Sequence, residues 1–157
     1  VKNDLPGGGG VDAGDGAAAS RLATTTLAHQ TQGLAAEDIK VDVETQYVEE
    51  QSLPQQDRYV FAYTITISNK GEVPATLLSR HWIITDANGK VQEVSGDGVV
   101  GEQPHLNPGE QFRYSSGAVL ETPVGSMRGS YQMVDQQGRH FDAAIPPFTL
   151  AVPGALN

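Results

Sequence analysis

From Ile39 onward the chain alternates apolar and polar positions with a period of two. Val41 and Val43 fall on one face and Asp42 and Glu44 on the other, which predicts a half-buried first strand through about Glu49. After a turn containing Pro54, the residues Tyr59, Phe61, Tyr63, Ile65 and Ile67 occupy alternate positions, with Val60, Ala62, Thr64, Thr66 and Ser68 between them. This aromatic and β-branched run is the strongest strand signal in the chain. Asn69-Lys70-Gly71 ends it, and a third strand follows Pro74 over Ala75 to Thr85, carrying the sole tryptophan, Trp82. Asp86-Ala87-Asn88-Gly89 is a hairpin turn into a fourth strand, Lys90 to Val94. Phe112 and Tyr114 alternate with Arg113 and Ser115 in a fifth, and Thr122-Pro123-Val124-Gly125 turns the chain again. Met127, Gly129, Tyr131 and Met133 share a face of the sixth. Asp135-Gln136-Gln137-Gly138 then leads into the last strand, Arg139 to Val152. Pro146-Pro147 removes two ladder donors from that strand, which must be bent, bulged or at an edge.

Seven short strands with turn chemistry about every ten residues, and no helical period, predict an all-β fold: an antiparallel β-sandwich. A tryptophan on the third strand and a tyrosine on the sixth fit an immunoglobulin-like arrangement. With no disulfide available, the fibronectin type III-like class is nearer, and a small closed barrel is the alternative. Residues 1–36 differ from this pattern. Gly and Ala fill 15 of the 36 positions, large apolar residues are sparse, and the stretch reads as a flexible leader too poor in apolar surface to offset its ordering entropy. The first residue is Val1 rather than Met, the start expected of a processed, tagged or incomplete chain. The sandwich domain is expected over 37–157.

Composition narrows the function classes. The absence of cysteine excludes thiolate metal sites and a cysteine nucleophile, and fits a reducing compartment. A net charge of −9 with few, scattered Lys and Arg argues against nucleic-acid binding. No apolar run approaches the roughly 20 residues of a membrane-spanning helix, and no secretory signal is visible, so membrane insertion is not expected and a cytoplasmic location is.

The stretch from Ser95 to Gly117 is where chemistry concentrates. Gly96-Asp97-Gly98-Val99-Val100-Gly101 spells G-x-G-x-x-G. In a dinucleotide fold these glycines follow a strand and open a helix. Here Pro104 and Pro108 forbid a regular helix, and Asp97 and Glu102 would repel a phosphate. The stretch is therefore expected to be a long ordered loop between two strands.

Several segments carry a resemblance. Tyr59-Val60-Phe61-Ala62-Tyr63, Ser79-Arg80-His81-Trp82-Ile83-Ile84-Thr85-Asp86, Gly96 through Pro104, Pro108-Gly109-Glu110 and Gly125-Ser126-Met127-Arg128-Gly129-Ser130-Tyr131 together resemble the ApaG (CorD) family, in order, over roughly 38–153. The resemblance implies a fibronectin type III-like sandwich without established catalytic residues. It implies a genetic link to cobalt resistance and magnesium efflux, and, from related domains in eukaryotic proteins, a role in protein binding.

Three readings of the loop follow. As a binding module, Gly96, Asp97, Gly98, Val99, Val100, Gly101, Glu102, Gln103 and Pro104 would present backbone groups and the two valines to a protein partner, a second copy of the chain included. Equally, Val99 and Val100 could plug the end of the sandwich. As a small-ligand protein, the loop would take a divalent cation through His105, Asp97 and Glu102, or a phosphate or pyrophosphate near Arg80 and Arg113. Arg128 could join those two arginines if all lay on one sheet face, and His81 reads as a hydrogen-bonded structural histidine. As an enzyme, the chain shows no G-x-S-x-G elbow and no triad spacing, so no catalytic residue and no cofactor is assigned.

Overall fold

The computed structural model describes Lys2–Asn3 and residues 38–155. The rest of the expected 1–36 leader lies outside the described residues. The strands are β1 (Lys2–Asn3), β2 (Ile39–Tyr47), β3 (Tyr59–Asn69), β4 (Ala75–Asp86), β5 (Val91–Asp97), β6 (His105–Leu106), β7 (Gln111–Leu120), β8 (Val124–Asp135) and β9 (His140–Ala151). One sheet has the order β1-β7-β3-β2 and the other β5-β4-β8-β9, with β6 also on β4. All pairings are antiparallel except that of β1 with β7. The seven long strands are the seven the alternation predicts, and the fold is a fibronectin type III-like sandwich.

The core lies between the sheets and is filled by the predicted inward positions. Phe61, Tyr63, Ile65 and Ile67 of β3 meet Trp82 and Ile84 of β4 and Met127, Tyr131 and Met133 of β8, all essentially without solvent exposure. The Trp82 ring stands edge-on to Tyr63 of the opposite sheet, to Tyr131 and to Phe148, with centroids 5.4, 6.5 and 5.9 Å away. Such edge-to-face pairs add to area burial. The sheets are also tied across the core by the Tyr114 and Tyr131 hydroxyls, 2.6 Å apart.

Two turns use one device. Asp86 Oδ1 accepts from the amides of Asn88 (2.8 Å) and Lys90 (2.9 Å). Asp135 Oδ1 accepts likewise from Gln137 (2.8 Å) and Arg139 (3.0 Å). Gly89 and Gly138 supply the positive φ, +84° and +83°, that closes each turn. On β9 the pairing with β8 slips between Met127↔Phe148 and Gly129↔Ile145, so that Pro146 and Pro147 together oppose Arg128. The diproline is thus both a bulge and part of an edge strand.

The glycine stretch departs from the expected single loop. Ser95, Gly96 and Asp97 continue β5, whose partners are His81, Arg80 and Ser79 of β4, and Gln111 to Gly117 belong to β7. The excursion proper is shorter, 98–110, and β6 interrupts it by pairing with Ala75 and Thr76. Alternation does not reveal this because Gly96 has no side chain to mark a face, and β6 is too short to show a period.

Candidate functional site

The loop is built on an irregularity in β4. The β4–β8 register shifts between Leu77↔Met133 and Ser79↔Gln132, leaving Leu78 as an extra residue. A bulged residue is withdrawn from the ladder and its backbone groups are re-aimed. Here β5 leaves the edge of β4 after Ser79 and β6 joins it at Thr76, so the excursion crosses the bulge. The Leu78 carbonyl accepts from the Gly98 amide and from Gln103 Nε2, each at 2.8 Å. The Leu77 amide donates to the Pro104 carbonyl at 3.0 Å.

Between those ties the chain makes a two-residue turn. The Val99 and Glu102 backbones exchange hydrogen bonds of 2.8 and 2.9 Å. Val100 (φ +43°) and Gly101 (φ +84°) both lie in the left-handed region, as in a type I′ turn. That conformation is natural for Gly101 and strained for β-branched Val100. Gly98, at φ +64°, has a second constraint, since a Cβ there would stand 2.3 Å from the Glu102 carbonyl oxygen. The glycine spacing thus answers a backbone need, with no helix N-terminus behind it.

The residues singled out in the sequence take distinct places. Val99 is fully buried in the core, while Val100 is half-buried and packs against it. Asp97, Gly101, Glu102 and Gln103 are exposed, and Pro104 is half-buried. Arg80 lies across Gly96, with Nη1 3.0 Å from where a Cβ would be, and donates from Nη1 to the carbonyls of Asp97 (3.1 Å) and Gly98 (2.9 Å). Arg113 stands on β7 in the other sheet, where it donates to Thr66 Oγ1 and Glu44 Oε1, each at 3.3 Å. Arg80, Arg113 and Arg128 thus do not share one sheet face, because β7 belongs to the opposite sheet, and Arg113 sits in an exposed ion pair with Glu44 instead. His81 Nε2 sits 3.1 Å from Glu93 Oε1 on the outer side of β4. His105 Nδ1 lies 2.8 Å from Thr76 Oγ1. Glu110 Oε1 accepts from the Asn107 amide at 2.9 Å and shapes the far turn of the excursion. Among the described residues, no three His, Asp or Glu side chains gather as a cation site.

Two residues essential to this frame are at most faintly marked in the sequence pattern. Leu78 acts through its carbonyl, which a hydropathy pattern does not register. Asn69, fully buried at the end of β3, donates from Nδ2 to the carbonyls of Val73 (2.9 Å) and Leu106 (3.0 Å). Its own carbonyl accepts from Gly109 at 2.9 Å, so it holds the return of the excursion toward β7. A buried Asn following an apolar strand is the one clue available.

Fold and loop together define a small fibronectin type III-like sandwich with a pinned, glycine-shaped excursion at one end. A family model described as the ApaG domain matches residues 49–135. The chain is 66% identical over 119 residues to Protein ApaG of Pseudomonas aeruginosa, an alignment covering 76% of this chain and 94% of that one. Protein ApaG of Thiobacillus denitrificans matches at the same identity and coverage. A solved structure of a Bordetella pertussis protein described as ApaA is 54% identical, covers 75% of this chain and 96% of its own, and superposes with a TM-score of 0.73. The chain belongs to the ApaG family.

Proposed function

We propose that this ApaG-family chain is a non-enzymatic accessory protein of the cytoplasm that works by binding a protein partner through the tip of the glycine excursion. The cellular setting is the one implied by family resemblance, cobalt resistance and magnesium efflux. The observation that carries the reading is the contrast within Gly98–Pro104. The base of the loop is tied to Leu77, Leu78 and Arg80, in part through the Gln103 side chain, while Gly101 and Glu102 stand in solvent. A tip already held in one conformation loses little freedom on association, which favours recognition by a partner. The strain at Val100 is consistent with a binding tip, since such backbone persists where the surroundings over-determine it.

The test uses the full chain as bait in bacterial extract, beside a Val100→Ser/Glu102→Arg variant whose melting temperature is checked to be near that of the parent. A prey protein held by the parent and lost by the variant supports the reading. Equal capture by both, or none by either, overturns it. The second reading, a divalent cation or phosphate ligand, draws on the exposed carboxylates Asp97 and Glu102 close in sequence to His105. Saturable amide shifts confined to those residues, with cobalt, magnesium or pyrophosphate added in turn, would favour it.

A further inference from the structure

The outer face of the β5-β4-β8-β9 sheet carries a hollow of about 390 Å³ whose lining includes no residue of the excursion. Ile83 and Pro147 give it an apolar side, and His81, Arg128 and Ser130 a polar one. Concave sites of this size, with apolar walls and a few convergent polar groups, are the kind that hold small molecules. The cross-strand pairs His81↔Ser130 and Ile83↔Arg128 set four of these residues side by side on β4 and β8. The diproline of β9, which denies donors to any strand approaching that edge, also opposes Arg128 and supplies the third wall.

The polar side of the hollow is a set of donors. Ser79 Oγ donates to Gln132 Oε1 at 2.9 Å, and Gln132 Nε2 donates to Ser130 Oγ at 2.9 Å. Ser79 and Gln132 are buried, so this relay is held in place, and the Ser130 hydroxyl hydrogen at its end remains to be donated. Arg128 is the second donor. Arg80, Arg113 and Arg139 each bond to a protein oxygen, whereas Arg128 is exposed and bonds to none among the described residues. His81 serves as a wall, with Nε2 directed to Glu93. A guanidinium and a hydroxyl beside apolar walls call for an anion with an apolar body.

We infer that this hollow binds a small organic monocarboxylate. The Arg128 guanidinium and the Ser130 hydroxyl take the carboxylate, and the apolar body lies against Ile83 and Pro147. A guanidinium fork matches a carboxylate in both shape and charge. A phosphate dianion fits the surroundings less well. Glu93 on β5, opposite Ile83, and Asp142 on β9, opposite Gln132, place negative charge on both flanks.

The test titrates benzoate into the isotope-labelled full chain and follows its amide signals. Benzyl alcohol offers the ring without the charge, and inorganic phosphate the charge without the ring. Saturable shifts around His81, Ile83, Arg128 and Ser130 are expected with benzoate and not with the other two. Arg128→Gln should weaken binding about tenfold or more, and Ser130→Ala by a smaller factor. Arg128 is exposed, so its replacement should leave the fold intact, which unmoved β7 signals would report. Absence of saturable shifts with benzoate overturns the inference, as does equal affinity in the Arg128→Gln variant. Equal shifts with benzyl alcohol would reduce the hollow to an apolar patch, and stronger ones with phosphate would make the ligand a different anion. Either result also overturns it.

Discussion

At the scale of single residues, the G-x-G-x-x-G phrase separates into positions with different duties. Gly98 combines positive φ with a carbonyl oxygen 2.3 Å from the site of any Cβ, whereas Gly101 has positive φ and open space around it. Gly101→Ala is therefore expected to cost about 1–2 kcal/mol, the left-handed penalty alone. Gly98→Ala must in addition break the Val99–Glu102 turn, so its midpoint in urea should fall clearly further; equal midpoints would refute this account. Val99 and Val100 part in the same way. Val99 is 0% exposed, and Val99→Ser should lose about 1–3 kcal/mol by removing apolar contact and burying a hydroxyl. Val100→Ser should leave thermal unfolding near the parent's, since the residue is only half-buried and its backbone strained. The sequence left the plug and the exposed surface level because two adjacent valines in a loop have no period to tell them apart. The type I′ turn divides them, sending Val99 into the core and Val100 to the tip.

At the scale of elements, the long strands were legible because each buries one face, and burial of one face imposes period two on side chains. Tyr59 to Ile67 and Met127 to Met133 show this plainly. What was hidden is carried by backbone. The Leu78 bulge, the pairing of β6 and the extension of β5 through Gly96 depend on amides and carbonyls that no side-chain pattern records. The diproline of β9 was readable in outline because proline lacks the donor a ladder needs. Its protective role can be tested directly. Replacing Pro146 and Pro147 with threonine restores two donors to an edge strand, so light scattering should reveal concentration-dependent self-association in the variant and a smaller species in the parent. A variant that stays at the parent's size at high concentration would remove that role from the prolines.

At the scale of the whole molecule, Trp82 is a reporter placed between the two sheets. Its ring contacts Tyr63 from one sheet and Tyr131 and Phe148 from the other, and it is fully buried. Tryptophan emission should therefore shift to the red in a single step on denaturation, with the same midpoint as far-ultraviolet circular dichroism. Separate midpoints would show that the sheets part before the strands melt. The two central pairings, β3 with β7 and β4 with β8, join residues distant in sequence, so refolding is expected on the millisecond-to-second scale. The way the excursion is fastened also bears on redesign. Its frame consists mainly of main-chain groups, with the side chains of Arg80, Gln103, Asn69 and Glu110 bonding to backbone groups of the loop and of β4 and β5. The side chains at 100 and 102 take no part in that fastening except through their backbone. What the tip recognises can thus be rewritten, by selection or in a mutant library, without loosening the scaffold that displays it.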